Sequence, residues 1–107
     1  MEKAAGAWFD LAEWVDEAPG VRAKVVTVAG ARWALVEYEA GCGRPEWCVA
    51  GHRGYVVSGA IHYEFDDGQE PLALTAGHGF FLPAGQPHRG YNHQPEVTRL
   101  FVVDDPS

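Results

Sequence analysis

Apolar and polar positions follow two different rhythms along the chain. Near the start, Trp8, Phe9, Leu11, Ala12 and Val15 fall at helical spacing, with Asp10, Glu13, Asp16 and Glu17 between them. Pro19-Gly20 then stops the pattern, so the segment reads as one short helical turn on the outside of the domain. From Val21 onward the period shortens to two or gives way to β-rich runs. Strands are predicted over Val21–Val28, Trp33–Glu39, Arg53–Ser58, Ala60–Phe65, Leu72–Thr75, Phe80–Leu82, Gln86–Asn92 and Val97–Val103. Turn signals separate them, among them Asp66-Asp67-Gly68 and the Gly-rich loop Gly41-Cys42-Gly43-Arg44-Pro45. Short strands at roughly ten-residue spacing, with almost no helix, describe an all-β sandwich or barrel.

Composition narrows this picture. At 107 residues the chain holds one core, and 47% hydrophobic with 12% aromatic residues is too apolar for a disordered segment. The division read from the pattern is an N-terminal helical or extended segment, residues 1–20, followed by a barrel, residues 21–107. Fifteen acids against eight scattered Lys and Arg leave a net charge of -7, which disfavours nucleic acid and anionic membranes as partners. No apolar run reaches the ~18 residues of a spanning helix. The N-terminus lacks the layout of a secretion signal, so the expected compartment is the cytoplasm, with Cys42 and Cys48 reduced.

The segment from Gly77 to Asn92 carries the chemistry. A strand enters the turn Pro83-Ala84-Gly85, and a second strand leaves it bearing His88. Pro83 sets φ and Gly85 permits a positive φ, so the histidine leaves the turn in a defined direction. Gly77, Pro83, Gly85, His88 and Asn92 resemble, at every fixed position, the second motif of the cupin superfamily, G-x5-P-x-G-x2-H-x3-N. That resemblance implies a double-stranded β-helix, a jelly-roll barrel, in which His88 is a metal ligand.

The first cupin motif, G-x5-H-x-H-x3,4-E-x6-G, has an altered counterpart upstream. Tyr55-Val56-Val57-Ser58-Gly59 is similar to its closing strand. Counting back from Gly59 places His52, Cys48 and Glu46 where the family carries Glu, His and His. Gly41 stands one residue closer than the motif's opening glycine. The resemblance therefore implies a metal held by Glu46, Cys48, His52 and His88. On a strand, Glu46 and Cys48 project to one face. A thiolate, a carboxylate and two imidazoles favour Zn²⁺ over Mg²⁺ or Ca²⁺, with iron or nickel as the alternatives that many cupins use.

Other candidates read as bland. Cys42 is incidental in its loop, while His78 and His93 are solvated near turns. His62 faces either a polar outer surface or the cavity. The aromatics Trp33, Tyr38, Trp47, Phe80, Phe81 and Phe101 serve foremost the core or a homodimer contact, the latter being the family's habit, and only secondarily the lining of a pocket. Two function classes stay open: a metalloenzyme acting on a small polar metabolite, with Glu46 as the catalytic side chain, and a non-catalytic sensor whose four-ligand zinc site is closed.

Overall fold

The structure is a computed structural model, and it describes residues 2–106. After a 3₁₀ turn at Phe9–Leu11, nine strands follow: β1 (Val15–Ala18), β2 (Val21–Val28), β3 (Ala31–Tyr38), β4 (His52–Ser58), β5 (Ala60–Phe65), β6 (Leu72–Thr75), β7 (Gly79–Leu82), β8 (His88–Tyr91) and β9 (Thr98–Asp104). They form a six-stranded sheet, β1-β2-β3-β9-β4-β7, and a three-stranded sheet, β6-β5-β8, with every pairing antiparallel. This is the jelly-roll architecture expected from the sequence, helical turn included.

The N-terminal turn is shorter than the apolar spacing implies. Val15–Ala18, read as the tail of a helical pattern, is instead a strand paired with β2. A four-residue edge strand gains ladder hydrogen bonds, whereas so short a helix would leave most of its backbone groups unpaired.

Period-two alternation decides what lies between the sheets. Val21 and Ala23 of β2, Ala34, Val36 and Tyr38 of β3, Val56 of β4, and Leu100 and Val102 of β9 point inward. They meet Ile61 and Tyr63 of β5 and Leu82 of β7 in one buried cluster. On the outer side of the larger sheet, Arg22, Glu37 and Arg99 lie in one row across β2, β3 and β9. Glu37 is 7% exposed, and both arginines donate to its carboxylate. Burial alone would raise its pKa, but the two guanidinium partners outweigh burial and hold it below the usual carboxylate range.

The loop between β3 and β4, residues 39–51, completes the smaller sheet. Gly43 bridges Tyr91 and Cys48 bridges His88, so the loop runs beside β8 as a broken fourth strand. The loop thus forms one wall of the opening between the sheets.

Candidate functional site

Three ligand-capable side chains converge at that opening, each placed by a different backbone device. Cys48 and His88 exchange both backbone hydrogen bonds, 2.8 Å and 2.9 Å long, which makes them a directly opposed antiparallel pair with side chains on one face. His88 itself follows the turn in which Gly85 adopts φ of 90°, and the Gly85 amide is tied back to the Val49 carbonyl. His52 opens β4 and is the register partner of Asp104 at the end of β9. The donor atoms of Cys48, His52 and His88 all lie within 4.8 Å of one another, the one such group among the described residues.

One distance inside this cluster equals the spacing of two donors on a shared metal ion. Cys48 Sγ is 3.6 Å from His52 Nε2. Bonds of about 2.3 Å to sulfur and 2.0–2.1 Å to nitrogen at a tetrahedral angle would space the two donors about 3.6 Å apart. His52 Nδ1 is 2.8 Å from Asp104 Oδ1, and His88 Nδ1 is 3.2 Å from the Gln86 carbonyl. Each imidazole therefore has an acceptor for an Nδ1 proton, leaving its Nε2 lone pair for the cluster, as metal-binding histidines are usually oriented. The two rings meet edge to face at 5.0 Å. His88 is 3% exposed, and burial, reinforced by the charges of His52 and Arg44, pushes its pKa below the ordinary histidine value. Gln86 and Asp104 oppose that shift without reversing it, so His88 favours the neutral form that binds metals.

These residues line a pocket of about 400 Å³, within the range of small-molecule sites. Its apolar wall includes Val36, Leu100 and Val102, and its polar lining includes Arg32, Arg44, Arg89, Glu17 and Asp104. Arg44 donates from Nε to the Tyr38 hydroxyl at 3.1 Å and from Nη2 to Glu17 at 2.7 Å. Arg32 also pairs with Glu17, and its Nη1 stands 3.7 Å from Asp104. Arg89 stacks over Trp47 at the rim, 4.1 Å from the ring centroid. Tyr38 and Tyr63 are both buried here, and burial raises both phenol pKa values, so they remain hydroxyl donors at neutral pH.

Glu46 lines the same pocket as an exposed side chain, outside the three-residue cluster. His62 faces away from the pocket, its ring 5.1 Å from that of His93, which in turn lies 4.5 Å from Tyr91. His78 is exposed in its turn and accepts the Thr75 amide. Neither cysteine is in a disulfide. Asn92, the last motif position, is fully buried and structural: its side-chain NH₂ donates to carbonyls of Tyr38, Glu39 and Glu96, and its oxygen accepts the Gln94 amide.

The sequence reading missed Asp104 and the pocket roles of Tyr63 and Arg44, whereas Tyr38 and Trp47, read as pocket lining only in second place, do line it. Asp104 carried a usable signal: with Leu100 and Val102 it shares the inward register of β9, and a carboxylate ending an apolar face calls for a partner. Arg44 offered none, because it sits in an irregular loop.

Comparison with known proteins agrees with this architecture. No curated protein matches the sequence. A cupin from Shewanella frigidimarina described as RmlC-like superimposes with a TM-score of 0.77 at 20% identity, over 98% of this chain and 93% of that one. KdgF from Halomonas sp. gives 0.73 at 24% identity, over 96% of each chain. The polyketide cyclase RemF from Streptomyces resistomycificus gives 0.77 at 16% identity, over 98% of this chain and 81% of its own. At these identities the likeness concerns the fold. The sequence also matches the cupin domain family from residue 35 to residue 104, a span that takes in both motif regions and the strand that orients His52, and on that ground the chain belongs to the cupin family.

Proposed function

We propose that this protein is a metal-binding cupin whose pocket takes a small polar metabolite, with Cys48, His52 and His88 as the protein ligands and zinc as the metal. The convergence of three donors, two of them imidazoles with Nδ1 acceptors, carries this reading. Three protein ligands in a pocket are the pattern of catalytic zinc sites, where a fourth position serves water or substrate. When bound, the ion would act as a Lewis acid on an oxygen of the metabolite.

The chain's own residues supply the rest. Asp104 holds His52 in the required tautomer, the Val36, Leu100 and Val102 wall limits water, and Glu46 at the pocket is the proposed base or fourth ligand. If Glu46 closes the shell, the protein is a sensor; if it leaves a position free, an enzyme. Cobalt substitution distinguishes them: the absorption spectrum reports thiolate ligation and coordination number, and metal analysis gives stoichiometry. About one ion per chain, lost in His88→Ala, is the expected outcome. A His88→Ala variant that keeps its full metal complement refutes the assignment.

A second reading is favoured by the line Cys48 Sγ, His52 Nε2, His52 Nδ1, Asp104 Oδ1, which is also a nucleophile, base and orienting acid. In a thiol enzyme His88→Ala would leave iodoacetamide labelling of Cys48 fast while Asp104→Ala slowed it. In the metal reading, zinc protects Cys48 from labelling.

A further inference from the structure

The pocket holds polar groups that neither reading uses. Tyr63 of β5 lines the pocket and is 5% exposed, yet no group among the described residues hydrogen-bonds its hydroxyl. That oxygen is not sealed within protein either, since no fully enclosed side-chain oxygen or nitrogen lacks a partner among the described residues. It therefore opens onto the cavity. Its ring meets the His88 ring edge to face at 6.0 Å, so the hydroxyl belongs to the same chamber as the cluster.

Tyr38 of β3 stands beside it. A Cβ built on Gly90 would lie 2.9 Å from the Tyr63 ring and 3.2 Å from the Tyr38 hydroxyl, so the missing side chain at Gly90 lets both phenols approach β8. The Tyr38 oxygen accepts from Arg44 Nε, which leaves its own proton to donate. Arg44 uses Nε and Nη2 on Tyr38 and Glu17, and its Nη1 has no protein acceptor among the described residues. Two buried hydroxyl donors and the free Nη1 of Arg44 leave three donors open, while the neighbouring acceptor, the Glu17 carboxylate, is already engaged by Arg44 and Arg32. Such a pole of donors answers an oxyanion rather than a neutral polyol.

Charge defines the oxyanion further, and this step rests on the metal reading. Three arginines and three carboxylates line the pocket, so its formal charges balance. A divalent ion bound to a Cys48 thiolate would add one net positive charge. A monoanion neutralises the loaded pocket, whereas a phosphate dianion overshoots it.

We propose that Tyr63, Tyr38 and Arg44 form a carboxylate subsite, and that the pocket's ligand is a small monocarboxylic acid bearing a second oxygen for the metal pole. The carboxylate accepts from the Tyr63 hydroxyl and from the free edge of Arg44, and its hydroxyl or keto oxygen is directed toward Cys48, His52 and His88.

The test uses the full chain, metal-free and zinc-loaded, titrated calorimetrically with lactate, pyruvate and 3-hydroxybutyrate, each against its amide. Zinc stoichiometry is measured in parallel for every variant. The zinc-loaded protein is expected to bind at least one acid about tenfold or more tightly than its amide, and Tyr63→Phe to lose about tenfold of that affinity with zinc content unchanged. Arg44→Gln is expected to erase the preference for acid over amide. The proposal is overturned if no acid outbinds its amide, or if Tyr63→Phe binds the acids as wild type does. A protein that takes up no zinc yet binds an acid through Tyr63 sinks the metal reading and keeps the subsite. One that takes up zinc without any acid preference does the reverse.

Discussion

Removing Asp104 tests whether the cluster is built for a metal. The carboxylate lies 2.8 Å from His52 Nδ1 and touches neither Cys48 nor His88 in the hydrogen-bond network, so Asp104→Ala removes the one hydrogen bond that orients His52 and, beyond it, only a through-space charge that His88 also feels. Its other partner, Arg32, stands 3.7 Å away and keeps a closer ion pair with Glu17, so no buried cation is orphaned. Loss of a carboxylate behind a histidine ligand lowers metal affinity by about 10- to 100-fold, or about 1.4 to 2.7 kcal/mol. Asp104→Asn keeps an oxygen that can accept the Nδ1 proton and gives up only the charge, so its loss should be smaller. Zinc affinity measured by competition with a chromophoric chelator should fall in the order wild type, Asp104→Asn, Asp104→Ala, His88→Ala. The backbone pair between Cys48 and His88 should keep the fold in all four, visible as an unchanged far-ultraviolet spectrum. An Asp104→Ala variant within twofold of wild type would show that His52 is not a ligand and that the metal assignment fails.

Three more outcomes follow from the same structure. Cys48→Ser should loosen zinc by replacing a thiolate with a hydroxyl, whereas Glu46→Gln, altering an exposed side chain outside the cluster, should keep the ion and lose turnover or ligand binding; chelator competition and calorimetry separate the two, and a Glu46→Gln protein unchanged in both makes Glu46 a solvated acid. Glu37 is depressed below its ordinary value of 4.5 in the folded state, so its contribution to stability is fully present above that pH and is lost as pH falls through the lower folded value; denaturant titrations in acid should show this loss, and Glu37→Gln should flatten it. Tyr55, Val57 and Phe81 are large apolar side chains, 45 to 56% exposed, on the outer face of β4 and β7, and we propose that a second copy of the chain covers them; sedimentation should then give a dimer for wild type and a monomer for Phe81→Glu.

Much of the site was legible because its parts are local. Pro83, Gly85 and His88 lie within six residues, and the turn they specify is set by their own φ preferences. Cys48 and His52 were found by laying the first cupin motif, which this segment resembles, back from Gly59. Glu46 entered by the same spacing, yet its side chain is exposed at the pocket while Cys48, two residues on, is drawn in by its backbone pair with His88. Alternation said that Glu46 and Cys48 share a face only if both lie in a regular strand, and this loop is not one.

By itself the sequence determined the class of fold, the strands from Val21 onward and the three donors that meet. Period-two burial, turn chemistry and motif spacing are properties of neighbours along the chain. Tertiary structure alone decided that Val15–Ala18 would be an edge strand, that Asp104, 52 residues from His52, would stand behind it, and that Tyr38, Tyr63 and Arg44 would share one chamber. Those contacts depend on strand register between distant segments and on a close approach at Gly90, and a one-residue slip would turn each of those strand side chains to the opposite face.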